Sequence, residues 1–135
     1  MMQKHKIFEL PFPSTACTDS PRLHQNTDLL LPMEFDDNGV TRSACLRFVK
    51  TRAFRFRAEI HCHSSSLWHI EDVYDTVCEV QGSDWVQELR SDSVPAWRDR
   101  WVMRHFIIYV DSYGCLEVVA ESVVLDDASK KPNGI

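Results

Sequence analysis

The sequence predicts one α+β domain in which a mainly antiparallel sheet carries one or two short helices against a face. Two observations predict the sheet: apolar and polar residues alternate from Leu46 to Cys62, and a second apolar stretch is interrupted by a turn at residues 111–114. An amphipathic segment from Asp84 to Ser91 predicts a helix. A curled, barrel-like sheet is an open alternative to a flat one. The 135 residues fit a single domain, 1–135, with its own core.

The alternating stretch assigns each of its residues to one side of the sheet. Its apolar residues have even numbers and the charged residues and histidines between them have odd numbers, namely Leu46, Phe48, Phe54, Phe56, Ala58, Ile60 and Cys62 against Arg47, Arg55, Arg57, Glu59, His61 and His63. Because successive side chains of a strand point to opposite faces, one face is predicted to be buried and the other solvated. Lys50 and Arg52 interrupt the apolar face, which predicts a bend or bulge around residues 49–52, or two consecutive strands.

Residues 104–125 are predicted to form a β-hairpin. Its arms are residues 104–111 and 115–125, and the sequence DSYG between them combines residue types that favour tight turns. On the second arm, four apolar residues share one face: Leu116, Val118, Ala120 and Val124. Glu117 and Glu121 share the other face, where they either pair with arginines across the sheet or, if burial separates their pKa values, perform acid–base chemistry.

Two helices and one short strand are predicted between these stretches. The strand is Thr76–Val80, and the first helix runs from Asp84 to about Ser91, with Ser83 as its cap and an inward stripe of Trp85, Val86 and Leu89. The second helix lies in the sequence VPAWRDRW, where the proline suits a first turn. Residues 67–74 match the helix and strand patterns equally well.

Both ends of the chain are predicted to lack regular structure. Residues 1–40 contain four prolines and a turn signal at Asp36–Gly39, so they are interpreted as an irregular segment that wraps around the sheet, with a short extended piece at residues 29–31. Residues 126–135 are polar and include a proline and a glycine, so they are predicted to form a flexible tail.

Composition narrows the classes of function. The net charge of −5 disfavours nucleic acid and anionic membrane surfaces as partners, and no stretch approaches the ~20 apolar residues of a membrane span. Five cysteines, an odd number without a C-x-x-C pair, indicate reduced thiols and therefore a cytoplasmic location. The sequence contains neither a nucleophile elbow nor a glycine-rich phosphate loop, so familiar catalytic motifs are absent.

The sequence HCHSSSLWH is a candidate metal site. His61 and His63 would project from the same face of a strand, and His69, Glu71 or Asp72 could fold back as a third ligand, leaving a position open for water as catalytic zinc sites do. The competing interpretation places these imidazoles on the solvated face of the sheet. A zinc or other divalent transition metal is therefore the alternative to a protein without a cofactor.

The leading hypothesis is a cytosolic, non-catalytic binding module whose partner is another protein, of the adaptor or toxin-neutralising kind. Its candidate contact residues are Trp97, Arg98, Arg100 and Trp101, because tryptophan and arginine are common at interface hot spots. The runner-up is a metal-dependent enzyme or small-ligand binder that uses the three histidines named above.

The arginines of the alternating stretch are a further candidate contact surface. Arg47, Arg55 and Arg57 could form a row that binds an anion or an acidic protein. A solvated charged face is the competing interpretation. Nearby phenylalanines lie on the opposite face, which argues against a stacking platform for single-stranded nucleic acid.

Overall fold

The computed structural model of the protein describes residues 2–58 and 70–127. Within these ranges the chain forms two antiparallel sheets and two short α-helices, which confirms the predicted α+β class with a mainly antiparallel sheet. The strands are β1 (Gln3–Glu9), β2 (His24–Gln25), β3 (Leu29–Asp37), β4 (Val40–Val49), β5 (Ala53–Ala58), β6 (Thr76–Gln81), β7 (Arg104–Val110), β8 (Gly114–Ala120) and β9 (Ser122–Asp127). The helices are α1 (Ile70–Val73) and α2 (Asp84–Asp92), with 3-10 turns at Ser14–Ala16 and Pro95–Trp97.

The two sheets pack face to face. The five-stranded sheet has the order β1-β6-β7-β8-β5, and the four-stranded sheet has the order β2-β3-β4-β9. Because the described strands divide between two sheets, they do not close into the barrel that the sequence left open. Neither helix in these ranges reaches the length and apolarity that crossing a membrane requires.

The main core lies between the sheets and takes side chains from both. Its fully buried members on the two facing surfaces are Leu29, Leu31, Phe35, Leu46 and Phe48 on one side and Val77, Phe106, Ile108, Val110, Leu116, Val118 and Ala120 on the other. A smaller cluster covers the opposite face of the five-stranded sheet, where Val73 of α1 packs with Ile107 and Tyr109 of β7. The five-stranded sheet is therefore buried on both faces over part of its area, which explains why β7 is apolar on both sides.

Two connections cross from one sheet to the other at the same corner. The chain passes from β4 to β5 through residues 50–52, and from β8 to β9 through Glu121. The backbone N–H of Arg52 donates to the carbonyl of Val119 at 2.7 Å, and that of Glu121 donates to the carbonyl of Val49 at 2.9 Å. These bonds hold the crossings side by side. Of the two structures predicted for residues 49–52, the pair of consecutive strands is correct.

The change of sheet also alters two predicted faces. Phe56 is 44% exposed instead of buried, because β5 lies at the edge of its sheet, and its ring contacts Tyr113 at 4.6 Å. Val124 does not share the face of Leu116, since β9 belongs to the other sheet and pairs Val124 with Arg47. The single second arm predicted for residues 115–125 is therefore two strands in two sheets.

The prediction of an irregular segment at residues 1–40 is wrong. This segment contains β1, β2 and β3, and β3 alternates between buried and exposed side chains along most of its length. Pro32 lies within β3, opposite Cys45, at a point where the described strands pair β3 on one side only. A strand tolerates proline where one edge is unpaired, so the prolines did not exclude a sheet. At the other end, Asp126 and Asp127 belong to β9, while residues 128–135 lie outside the described ranges.

Candidate functional site

An exposed apolar patch follows α2. We call it the tryptophan surface and define it by Val94, Trp97, Arg100, Trp101 and Val102. Val94, Trp97 and Val102 are 64%, 46% and 53% exposed, an unusual concentration of large exposed apolar side chains within nine residues. The patch borders an open groove of about 560 Å³, which is also lined by Asp92 and Ser93.

The two tryptophans of this surface stack on each other and on arginines. Their ring centroids lie 6.1 Å apart with the planes inclined by 17°. The guanidinium of Arg100 lies 4.7 Å from the Trp97 centroid, and that of Arg52 lies 4.4 Å from the Trp101 centroid. The predicted spacing of the tryptophans does bring their rings together, although Trp97 ends a 3-10 turn and Trp101 follows it, and no α-helix carries the pair.

Arg98, the remaining predicted contact residue, faces the end of α2. Its Nε donates to the carbonyl of Arg90 at 3.1 Å, and its Nη2 donates to the carbonyl of Ser91 at 3.2 Å. In return, Nη1 of Arg90 donates to the carbonyl of Arg98 at 3.0 Å and, more weakly, to that of Trp101 at 3.4 Å. The last carbonyls of a helix lack partners within the helix, so Arg98 satisfies them and fixes the position of the tryptophan surface.

A polar network centred on the buried His105 lies at the other end of α2, on the outer face of the five-stranded sheet. Oγ of Ser83 is 2.8 Å from Nδ1 of His105, and Nε2 of His105 is 2.8 Å from Oε1 of Glu117. Arg55 donates to both carboxylate oxygens of Glu117 at 3.0 Å. Trp85 packs edge-on against the imidazole, with centroids 5.2 Å apart. We call these five residues the outer-face network.

One tautomer of His105 gives the outer-face network a continuous chain of donors and acceptors. Oγ of Ser83 accepts the N–H of Val86 at 3.1 Å as the cap of α2, as predicted, so its own hydrogen is available to Nδ1 of His105. The chain is complete with a neutral histidine that carries its hydrogen on Nε2 and donates to Glu117. A nucleophilic serine must reach its substrate, whereas Ser83 is 5% exposed and bonded on both sides. The arrangement therefore suits the support of a helix better than acyl transfer.

Glu117 is held ionised within this network. Burial raises the pKa of its carboxyl group, but the hydrogen bonds from His105 and Arg55 outweigh burial and bring the pKa down to about 2. Of the two roles predicted for this residue, pairing with an arginine across the sheet is the one that the structure contains. Glu121 likewise pairs with an arginine, Arg52, at 2.9 Å.

The predicted row of arginines does not exist as one surface. Arg47 lies on β4 in the four-stranded sheet, where it pairs with Asp126 at 3.1 Å and with Asp28 at 3.6 Å. Arg55 lies on β5 in the other sheet and is paired with Glu117. The change of sheet at residues 50–52 separates Arg47 from Arg55 and Arg57, so the three arginines do not form one row.

The candidate metal ligands His61, His63 and His69 lie outside the described residues. Within residues 2–58 and 70–127, no three side chains of the histidine, cysteine, aspartate or glutamate type form a group that could hold a metal ion. The metal hypothesis stays a prediction from the sequence.

A second groove, of about 540 Å³, lies against the four-stranded sheet. Its charged lining mixes signs, with Asp19, Glu34 and Asp126 facing Arg22, and it also contains Cys45. Burial, followed by the charge of Asp126, raises the pKa of the Cys45 thiol above its usual value. A thiol kept protonated is a poor nucleophile, so this groove offers no evident chemistry.

The sequence did not predict the outer-face network, although one signal pointed to it. The turn at residues 111–114 sets the register of the hairpin, and the observed pairs His105 with Val119 and Ile107 with Glu117 follow from that register. His105 and Glu117 are thus diagonal neighbours on one face. The contribution of Ser83 depends on where α2 packs, which the local pattern does not determine.

Comparison of the chain with protein-family models, with curated proteins and with solved structures finds no match in any of the three.

Proposed function

We propose that this protein is a non-catalytic module that binds another protein through the tryptophan surface. The observation that carries the proposal is the cluster of exposed apolar side chains beside an open groove, at Val94, Trp97 and Val102. Monomeric soluble proteins seldom expose such patches without a binding role, and tryptophan and arginine are the residue types most enriched at interface hot spots.

The charges around the patch favour a partner segment that combines apolar and acidic residues. Residues 90–104 carry four arginines against two aspartates, in a chain whose net charge is −5. Three of these arginines are engaged by carbonyls or by Glu79. Among the ion pairs of the described residues none involves Arg100, and its guanidinium lies over the ring of Trp97. Arg100 is therefore available to bind a carboxylate of the partner.

A cationic ligand is the obvious rival, because tryptophan pairs commonly bind quaternary ammonium groups. Here Arg100 and Arg52 already place their positive charges 4.7 and 4.4 Å from the two rings. A further cation would meet repulsion from both guanidinium groups, whereas a carboxylate would be attracted. The stacking thus supports an acidic partner over a methylated lysine or a choline group.

Selection from a random peptide library on the purified protein tests the proposal. We expect enriched peptides to carry an aspartate or glutamate close to a large apolar residue, and to change the tryptophan fluorescence on binding. Trp97→Ala is expected to weaken binding by ~10-fold or more, as at interface hot spots, and Arg100→Gln by about 10-fold.

Two controls are matched to these variants. Val40→Ser removes an exposed apolar side chain of the β3–β4 hairpin, and Arg22→Gln removes an exposed arginine near the second groove. Both are expected to bind like the wild type. Enrichment of basic peptides, or equal binding by wild type and Trp97→Ala, would contradict the proposal.

The amino-acid composition supports a proposal for the compartment of the protein and for the class of its partner. Five cysteines without paired spacing support a reducing compartment, so we place the module in the cytosol. The net charge of −5 supports a protein rather than a nucleic acid as partner. Binding to single-stranded or double-stranded DNA that weakens steeply with added salt would contradict this part of the proposal.

A further inference from the structure

Helix α2 connects the outer-face network to the tryptophan surface. At its first turn, Ser83 and Trp85 contact His105, and the guanidinium of Arg55 lies 4.1 Å from the centroid of the Trp85 ring. At its last turn, Arg90 exchanges hydrogen bonds with Arg98 and also donates to the carbonyl of Trp101. The nine-residue helix is thus fastened at one end to the sheet and at the other end to the patch.

The deepest burial beneath this helix lies under its first turn and is polar. The stripe of Trp85, Val86 and Leu89 is the less exposed side of the helix, as predicted from the sequence, although none of these side chains is fully buried. By contrast, the groups beneath its first turn are well buried, with His105 at 2% and Ser83 at 5% exposure. The buried hydrogen bond between Ser83 and His105 therefore helps to fix the first turn of the helix against the sheet, beside the packing of Trp85.

We infer that the outer-face network is a positioning device for the tryptophan surface, through which His105 and Glu117 act on residues 94–102 without touching them. The importance of this coupling for binding rests on the function proposed above, but the coupling itself does not. Loss of the network should release the first turn of α2 from the sheet. The bonds between Arg90 and Arg98 would then move the tryptophans together with the helix.

The test compares two glutamates that each accept a two-pronged arginine. Glu117→Gln weakens the outer-face network, and Glu79→Gln weakens the pair between Glu79 and Arg104, whose distances of 2.8 and 3.0 Å are similar. The side chains of Glu117 and Glu79 are 14% and 17% exposed. Arg104 is nearer in sequence to Trp101 than Glu117 is, so the control is a stringent one.

The readout is amide hydrogen exchange of residues 94–102, with the indole N–H resonances of Trp97 and Trp101 followed alongside. Losing a hydrogen bond to a charged group should speed this exchange by ~10-fold or more in Glu117→Gln. The control should leave it within about 3-fold of wild type, as expected for an unrelated site. Equal acceleration in both variants would mean general destabilisation and would overturn the inference, as would unchanged exchange in Glu117→Gln.

A second pair of variants covers the case in which Glu117→Gln folds poorly. Ser83→Ala removes the link between α2 and His105 while leaving the Arg55–Glu117 pair in place, and Ser83→Thr keeps a hydroxyl that can cap the helix and reach the imidazole. We expect faster exchange at residues 94–102 in the alanine variant only. Because no partner is needed, a failed peptide selection with positive exchange results would reject the proposed function and leave the coupling standing. A successful peptide selection with unchanged exchange in Glu117→Gln and Ser83→Ala would reject the coupling and leave the proposed function standing.

Discussion

Arg52 and Glu121 form an ion pair at the corner where the chain crosses twice between the sheets. Nη2 of Arg52 lies 2.9 Å from Oε2 of Glu121, and the backbone N–H groups of the same two residues donate to Val119 and Val49 of the opposite crossing. The same guanidinium lies over the ring of Trp101. The corner that joins the sheets therefore also supports one side of the tryptophan surface.

Arg52→Ala is expected to affect the tryptophan surface more than it affects the fold. A partly exposed ion pair contributes only about 0.2–1 kcal/mol to the free energy of unfolding. Removing the guanidinium, however, uncovers a face of the Trp101 ring. We expect little change in the urea midpoint but stronger quenching of tryptophan fluorescence by acrylamide.

Arg42→Ala is the matched control for that substitution. Arg42 pairs with Asp37 at 3.3 Å near the β3–β4 turn, and both partners are partly exposed, like Arg52 and Glu121. It should produce a comparable change in the urea midpoint and no change in quenching. If acrylamide quenches the tryptophan fluorescence of both variants to the same extent, the stacking of Arg52 on Trp101 does not shield the ring.

Glu117 should make the stability of the protein depend on pH in the acid range. Its folded-state pKa of about 2 lies below the ordinary value of 4.5, so its contribution is complete above pH 4.5 and is lost as the pH falls toward 2. The shift corresponds to at most about 3 kcal/mol of unfolding free energy. Urea unfolding of the wild type and of Glu117→Gln between pH 2 and 7 measures this contribution to the free energy of unfolding. The stability difference between the two should be largest at neutral pH and should shrink on acidification; a difference that stays constant would show that Glu117 titrates normally.

The fold was predictable wherever the pattern is local. Alternation identified β4 and β5, the DSYG turn identified the hairpin, and Ser83 before an amphipathic segment identified α2. β3 has the same alternation, but its proline and the others in residues 1–40 are typical of irregular segments and conceal it. The structure shows that one unpaired edge is enough to accommodate Pro32.

The sites were less predictable because they depend on which sheet each strand joins. Arg47 and Arg55 belong to one alternating stretch, yet the chain changes sheet between them and gives them different carboxylate partners. The role of His105 is not predictable from the sequence, since an isolated histidine in an apolar strand carries no spacing signal. Only the packing of α2 shows that it connects Ser83 to Glu117.

Two glycines should respond very differently to substitution by alanine. Gly114 has φ of +139°, and an added Cβ would overlap with the backbone of Arg57 and Ala58 on the neighbouring strand. Gly39 has φ of +85° in the Asn38–Gly39 turn between β3 and β4, with open space around it. Gly39→Ala should lower the free energy of unfolding by about 1 kcal/mol through backbone strain alone.

Gly114→Ala should cost more than about 3 kcal/mol, because strand β5 must move away from β8 in addition to the strain. Thermal unfolding of both variants measures the contrast. Similar melting temperatures would mean that β5 yields easily to the added methyl group.

The thiol of Cys17 should react slowly with alkylating reagents in the folded protein. Burial, followed by the charges of Asp75 and Asp111, raises its pKa to about 11 from an ordinary value of 9.0. Since the thiolate is the reactive form, this shift lowers the reactive fraction near pH 8 by on the order of 100-fold. Alkylation by iodoacetamide, followed by peptide mass spectrometry with and without urea, gives the rate at this position in the folded and unfolded chain. Asp75→Asn should recover only the smaller, electrostatic part of the difference, because burial is the larger cause, and equal rates in folded and unfolded protein would contradict the raised pKa.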